Sequence, residues 1–322
     1  MKNNVITFID RLKVERNTPE NTALLKSQRG TFSILLNMVA TQNLGAEVNN
    51  RISAVTDAYF RGVVKCRKND IQEALDTLCL ADHLDDTLDG EALRLTNLFK
   101  VSAWANYYYK TNEFDKAIHL LVGGLSRSIE LEKEGYYVLI FRRIEQLQNI
   151  SRILISAGRY MEGFNLIRNI IRFLITGSAE GLYVADWDHK KIVKIRQLME
   201  STCDAVFIQL AMLNTKTMES NIYDDRFYDE FFFKEFLETL PVDTYNRTII
   251  YNWMYVKTSY AEGEAGFFNN MTDFLVDADI SSEYNVLKKN LLHQAVYVLK
   301  NTHNSEFENY ESVISDYINN KL

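Results

Sequence analysis

Proline is almost missing from this chain: Pro19 and Pro241 are the only two in 322 residues. Proline breaks helix interiors and is common in loops and turn-rich sheet folds. Its scarcity, together with only 13 glycines, predicts long helices joined by short turns. Cysteine is scarce too. Cys66, Cys79 and Cys203 are widely separated and form no CxxC pair, which speaks against a disulfide framework and a zinc site and leads us to expect reduced thiols in a cytoplasmic protein. No apolar run approaches the roughly 20 residues of a membrane-spanning helix. The opening MKNNVITFIDRLKVER interleaves its charges at helical spacing, unlike a secretory signal. Excess positive charge is also lacking: the net charge of −7 sets an unfavourable field for a polyanion and argues against nucleic acid as a partner.

What is present is a chain with 47% apolar and 25% charged residues, the composition of a folded protein. Its length exceeds what one compact core favours, so two packed units or an elongated array is expected. Three segments align: Asn69-Asp70-Ile71-Gln72-Glu73-Ala74-Leu75, Asn112-Glu113-Phe114-Asp115-Lys116-Ala117-Ile118, and Gly158-Arg159-Tyr160-Met161-Glu162-Gly163-Phe164. Each reads as a tight turn opening an amphipathic helix, with a small residue followed four places on by Leu78, Leu121 or Ile167. Twelve residues before each small residue stands another, Gly62, Ala105 and Ser151, where a paired helix has to approach closely.

This pattern resembles tetratricopeptide repeats, most clearly in Trp104-Ala105-Asn106-Tyr107-Tyr108 and Ala117…Leu121…Gly124. The copies recur at 43 and 46 residues, longer than the roughly 34 of the standard unit, and lack its closing proline. Long repeats of this type resemble those of bacterial cytoplasmic peptide receptors. The resemblance implies an all-α, right-handed solenoid of antiparallel helix pairs. We expect residues 1–50 to be N-terminal helices capping the array and residues 51–182 to be the repeats. Residues 183–322 would then be divergent pairs continuing it, with helices at 183–213, 225–239, 245–262, 264–278, 284–301 and 305–321.

In such solenoids the first helix of each pair lines a concave surface. Its exposed positions here are Tyr59, Val63, Cys66 and Arg67, then Ser102, Asn106, Tyr109 and Lys110, then Gln148, Asn149 and Arg152. Asparagine can pair with both the N–H and C=O of an extended peptide, and Arg and Lys can take a carboxylate. The set looks like part of the carboxylate clamp of peptide-binding tetratricopeptide domains, with Asn106 and Asn149 in the asparagine places and Ser102 where a lysine would stand. A solvated inner helix face is the other account of the same residues.

Asp85-Asp86-Thr87-Leu88-Asp89 fits the DDxxD pattern of class I isoprenoid synthases, in which aspartates hold magnesium against a diphosphate. Asp224-Asp225…Asp229-Glu230 stands where that family carries its other metal motif, without the family's Asn, Ser and Glu spacing. A solvated acidic loop before Gly90 is the alternative. His83, His119, His189, His293 and His303 show no metal spacing, Gly124-Leu125-Ser126-Arg127-Ser128 lacks the second glycine of a nucleophile elbow, and no phosphate-binding glycine loop occurs. The aromatic segment Tyr223 to Phe236 reads as a buried helix face or a partner surface. The basic run from His189 to Arg196 reads as a solvated face. The sequence therefore points to a peptide- or protein-binding helical-repeat protein without a cofactor, free or as a homo-oligomer. A magnesium-dependent isoprenoid synthase and an oligomerising scaffold are the alternatives.

Overall fold

The computed structural model describes residues 2–14, 23–220, 237–238, 240, 243–277, 280–301 and 308–322, and it is 85% helix with no strand among them. The second acidic cluster, the aromatic segment, the expected 225–239 helix apart from residues 237–238, Pro19, Pro241 and His303 lie outside the described residues. Among the described residues, no helix is long and apolar enough to cross a membrane. The chain divides into two compact units, residues 27–203 and residues 1–26 with 204–322.

In the first unit α2 (Ala23–Leu44) leads into three helical hairpins: α3 (Ala46–Arg67) with α4 (Ile71–Asp85), α5 (Gly90–Lys110) with α6 (Phe114–Lys133), and α7 (Leu139–Ser156) with α8 (Tyr160–Thr176). Each hairpin turns through one device. Asn69, Asn112 and Gly158 adopt left-handed backbone at φ 66°, 63° and 79°. In each turn that residue's N–H bonds the carbonyl three residues back, and the next N–H bonds the carbonyl five back: Asp70 to Lys65, Glu113 to Tyr108, Arg159 to Leu154. This closes the last turn of the first helix by the Schellman pattern, and Gly and Asn are the residues that enter left-handed backbone at least cost.

The small residues then let the two helices approach. A Cβ on Gly62 would stand 2.5 Å from Leu78 Cδ2, and one on Gly163 would stand 2.9 Å from the Ser151 carbonyl oxygen. Ala105 and Ala117 are equally buried. Successive helices continue the packing, α3 and α4 against α5, α5 against α6, α6 against α7 and α7 against α8. In consequence α5, α6 and α7 carry the residues that build the site below.

The expected single helix over 183–213 is replaced by an irregular strap, residues 177–188, then α9 (His189–Val193) and α10 (Arg196–Glu219). Gly177 ends α8 in left-handed backbone at φ 82°, and Val184 and Asp186 both have φ 60°. Arg143 holds the strap. Fully buried on α7, it pairs with Glu132 at 3.1 Å, donates to the carbonyls of Asp186 and Ala185 at 3.1 and 3.0 Å, and lies 3.9 Å over the Trp187 ring. Burial pushes the Glu132 pKa up and the Arg143 pKa down, each partly offset by the partner's charge.

In the second unit α1 (Lys2–Val14) packs against α12 (Glu264–Thr272) and α14 (Glu308–Lys321), with the rings of Phe8 and Phe268 5.9 Å apart. The N-terminal helix therefore belongs with the C-terminal helices, and the division into units falls at 26/27 and 203/204. α11 (Tyr245–Glu262) is capped by Thr244, whose hydroxyl accepts from the Arg247 N–H at 3.3 Å. A π-turn, Asp273–Asp277, follows α12, and α13 (Asn285–Asn301) precedes α14. Lys257 is fully buried beside the amide oxygens of Asn214 at 3.0 Å and Gln294 at 2.5 Å, and burial holds its pKa well below the usual range.

Candidate functional site

Five of the residues read from the sequence as groove positions meet in one cleft. Ser102, Asn106 and Tyr109 reach it from α5, Asn149 and Arg152 from α7, and Leu121 closes it from α6. On α5 these positions follow one another at three- and four-residue steps, and on α7 at three, so each set shares a helix face. About 20 Å³ is open to water centres there. That is room for one or two waters, since a single water occupies about 10–15 Å³ on this measure.

The polar groups of this cleft are short of partners. Asn106 Oδ1 is buried without a hydrogen bond, and neither Asn149 nor Arg152 makes a hydrogen bond or ion pair among the described residues. Burial depresses the Arg152 pKa; the neighbouring charge of Arg67 adds to this, while Tyr109 and Glu145 oppose it. The charge of an anion entering beside Arg152 would offset both effects. Lys110, half-buried at the end of α5, is near enough to Cys66 to oppose the upward push that burial gives this thiol's pKa. The Tyr109 hydroxyl bridges from α5 to Ser156 on α7 at 3.1 Å, tying together the two helices that form the walls.

The remaining expected groove residues lie elsewhere. Tyr59 is 1% exposed and points under α4, where its hydroxyl donates to Asp82 at 2.7 Å; the expectation that it faces the groove is corrected, because it shares a helix face with the contact residue Gly62. Gln148 is half-buried outside the cleft walls, and Arg67 is exposed at the end of α3. Ala105 and Leu121, which the sequence marks as packing positions, also form apolar parts of the cleft wall, together with Ile153, which it did not mark.

The acidic run does not assemble as a chelate. Asp85 is 1% exposed, accepts from Thr96 Oγ1 at 2.5 Å and lies 3.7 Å from Lys100 Nζ, while Asp86 and Asp89 are exposed on the turn beyond it. Asp82, one turn earlier, accepts from Tyr59 and from Trp104 Nε1 at 3.2 Å and pairs with Lys100 at 3.2 Å. These carboxylates are the polar centre of the α3–α4–α5 contact. Among the described residues, no group of three or more His, Cys, Asp or Glu side chains is placed to hold a metal ion. His189 caps α8, its Nε2 3.1 Å from the Leu174 carbonyl oxygen, and His293 faces Glu219 at 3.3 Å. The chain matches no protein-family model, no curated protein and no solved structure.

Proposed function

We propose that the first unit is a peptide-binding helical-repeat module of the tetratricopeptide type, and that the α5–α7 cleft receives an extended peptide or chain terminus. The observation that supports this most directly is that Asn106 Oδ1, buried without a hydrogen-bond partner, shares one cleft with the half-buried Asn149 and Arg152. A buried polar group left unpaired costs about 1–3 kcal/mol. Such groups are retained where a ligand completes them.

The two asparagine amides offer donor and acceptor together to a peptide backbone, and Arg152, with Arg67 and Lys110 nearby, attracts a carboxylate. This is the chemistry of the clamp that the sequence resembles, with Ser102 in the lysine place. The open volume holds one or two waters, which a chain end or side-chain tip at the mouth of the α5–α7 cleft would displace. Such a module acts as an adaptor, a chaperone-like binder or a ligand-responsive regulator, and needs no cofactor. Asp85 is already engaged by Thr96, which weighs against the isoprenoid synthase alternative. The test is binding of a randomised hexapeptide pool with free C-terminal carboxylates, compared with the same pool amidated. Enrichment confined to the free-acid pool supports the clamp; absence of binding to either pool refutes the peptide reading.

A further inference from the structure

The two ends of the first unit are finished differently. Beyond the last hairpin the strap covers α8, with Phe173 against Trp187 at 5.2 Å and against His189 at 5.7 Å between ring centroids. At the other end α2 turns apolar side chains outward. Leu36 and Ala40 face inward, in one core cluster with Ile52 and Val55 of α3, whereas Ile34 and Met38, one turn apart, are 60% and 62% exposed. Phe60 on α3 is 57% exposed, while its counterpart one repeat later, Ala103, is buried in the core cluster where α5 packs on α3. The terminal element of a helical array ordinarily presents a polar outer face. α2 does not, and it carries no charge either: from Gly30 to Ala46 the chain has no Asp, Glu, Lys, Arg or His. The residues beside Ile34 and Met38 on this face, Ser33 and Asn37, are exposed and neutral.

We propose that the α2 face is an interaction surface for a second copy of this chain, two α2 helices pairing antiparallel around a twofold axis. The absence of charge selects that occupant. Each copy carries a net charge of −7, so two copies repel over most of their surface and approach best through a face that has none. A partner recognised by its charge would find no complement between Gly30 and Ala46. A twofold contact must also be complementary to itself. With the axis passing near Leu36, Ile34 of one copy meets Met38 of the other, and the neutral Ser33 and Asn37 form the rim. The uncharged part of α2 is about 22 Å long and one helix wide, so the interface falls at the small end of the specific range and the dimer is weak. The pairing is independent of what the α5–α7 cleft binds.

The experiment is sedimentation velocity on the full chain over roughly 1 μM to 1 mM, the span of weak association. Wild type should shift from monomer toward dimer as concentration rises. Met38→Glu and Met38→Lys each set like charges against one another across the axis and should weaken the dimer by at least about tenfold. Because Met38 is exposed, far-UV circular dichroism should be unchanged in both. An equimolar mixture of the two variants should dimerise again, since opposite charges then face each other, a rescue that damage to the fold would not give. Wild type monomeric throughout, a dimer that either variant leaves at full strength, or a mixture that stays monomeric overturns the proposal.

Discussion

Alanine in place of Gly163 and of Gly123 separates helix propensity from helix contact. Both glycines lie inside helices, α8 and α6, and in either place a Gly→Ala change gains about 0.8–1 kcal/mol of propensity. At Gly123 the new Cβ meets nothing within 4 Å. At Gly163 it would stand 2.5 Å from Ile155 Cγ1 and 2.9 Å from the Ser151 carbonyl oxygen, against comfortable separations of about 3.5–4.0 Å. Ile155 is buried and the carbonyl belongs to α7, so relief requires the hairpin to open. Overpacking of this sort costs about 1–3 kcal/mol. Because the propensity gain is common to both variants, the two should differ by that amount, with Gly123→Ala the more stable. Urea denaturation followed by far-UV circular dichroism reads the difference as a shift in midpoint at constant slope. Equal stabilisation of both variants would refute the close α7–α8 contact, and with it the reason offered for the small residue in each repeat.

Arg143→Ala should cost about 3–5 kcal/mol, because it leaves Glu132 buried without its cation. Glu132 already has a pKa raised by burial, and losing Arg143 raises it further; a group whose folded pKa is raised favours folding when protonated. The variant's deficit should therefore be largest near pH 7 and shrink as the pH falls toward about 5, and a deficit that is constant in urea titrations across that range would contradict the assignment. Raising the salt concentration should weaken peptide binding through Arg152, Arg67 and Lys110 while leaving the amide contribution largely intact. Calorimetric affinities that do not change with salt would remove the carboxylate from the scheme.

Much of the first unit was legible because its determinants are local. Asn69, Asn112 and Gly158 mark the turns by their tolerance of left-handed backbone, and Gly62, Ala105, Ala117 and Gly163 mark the contacts by their size. Helix periodicity placed Asn106, Asn149 and Arg152 on facing surfaces, and they meet. Where the determinant is a distant partner, the sequence was silent or misleading. The inward turn of Asp85 depends on Thr96, on the next helix, so the DDxxD pattern showed only its charges. Tyr59 carries the same lesson, since its acceptor Asp82 lies across the hairpin. The strap reads as helix until Arg143, some forty residues earlier, supplies the donors that hold its carbonyls. The pairing of α1 with α12 and α14 joins opposite ends of the chain, and no local pattern records it.

The most direct test of the peptide-binding account is the affinity of a pool-selected hexapeptide for wild type and for the Asn106→Ala/Asn149→Ala double variant. Two hydrogen-bonding amides at about 0.5–1.5 kcal/mol each amount to about a 5- to 150-fold loss. The urea midpoint should not fall, because Asn106 Oδ1 is unpaired in the fold and Asn149 is only half-buried. Equal affinity in the two proteins would contradict the account and move the search for a ligand away from the α5–α7 cleft.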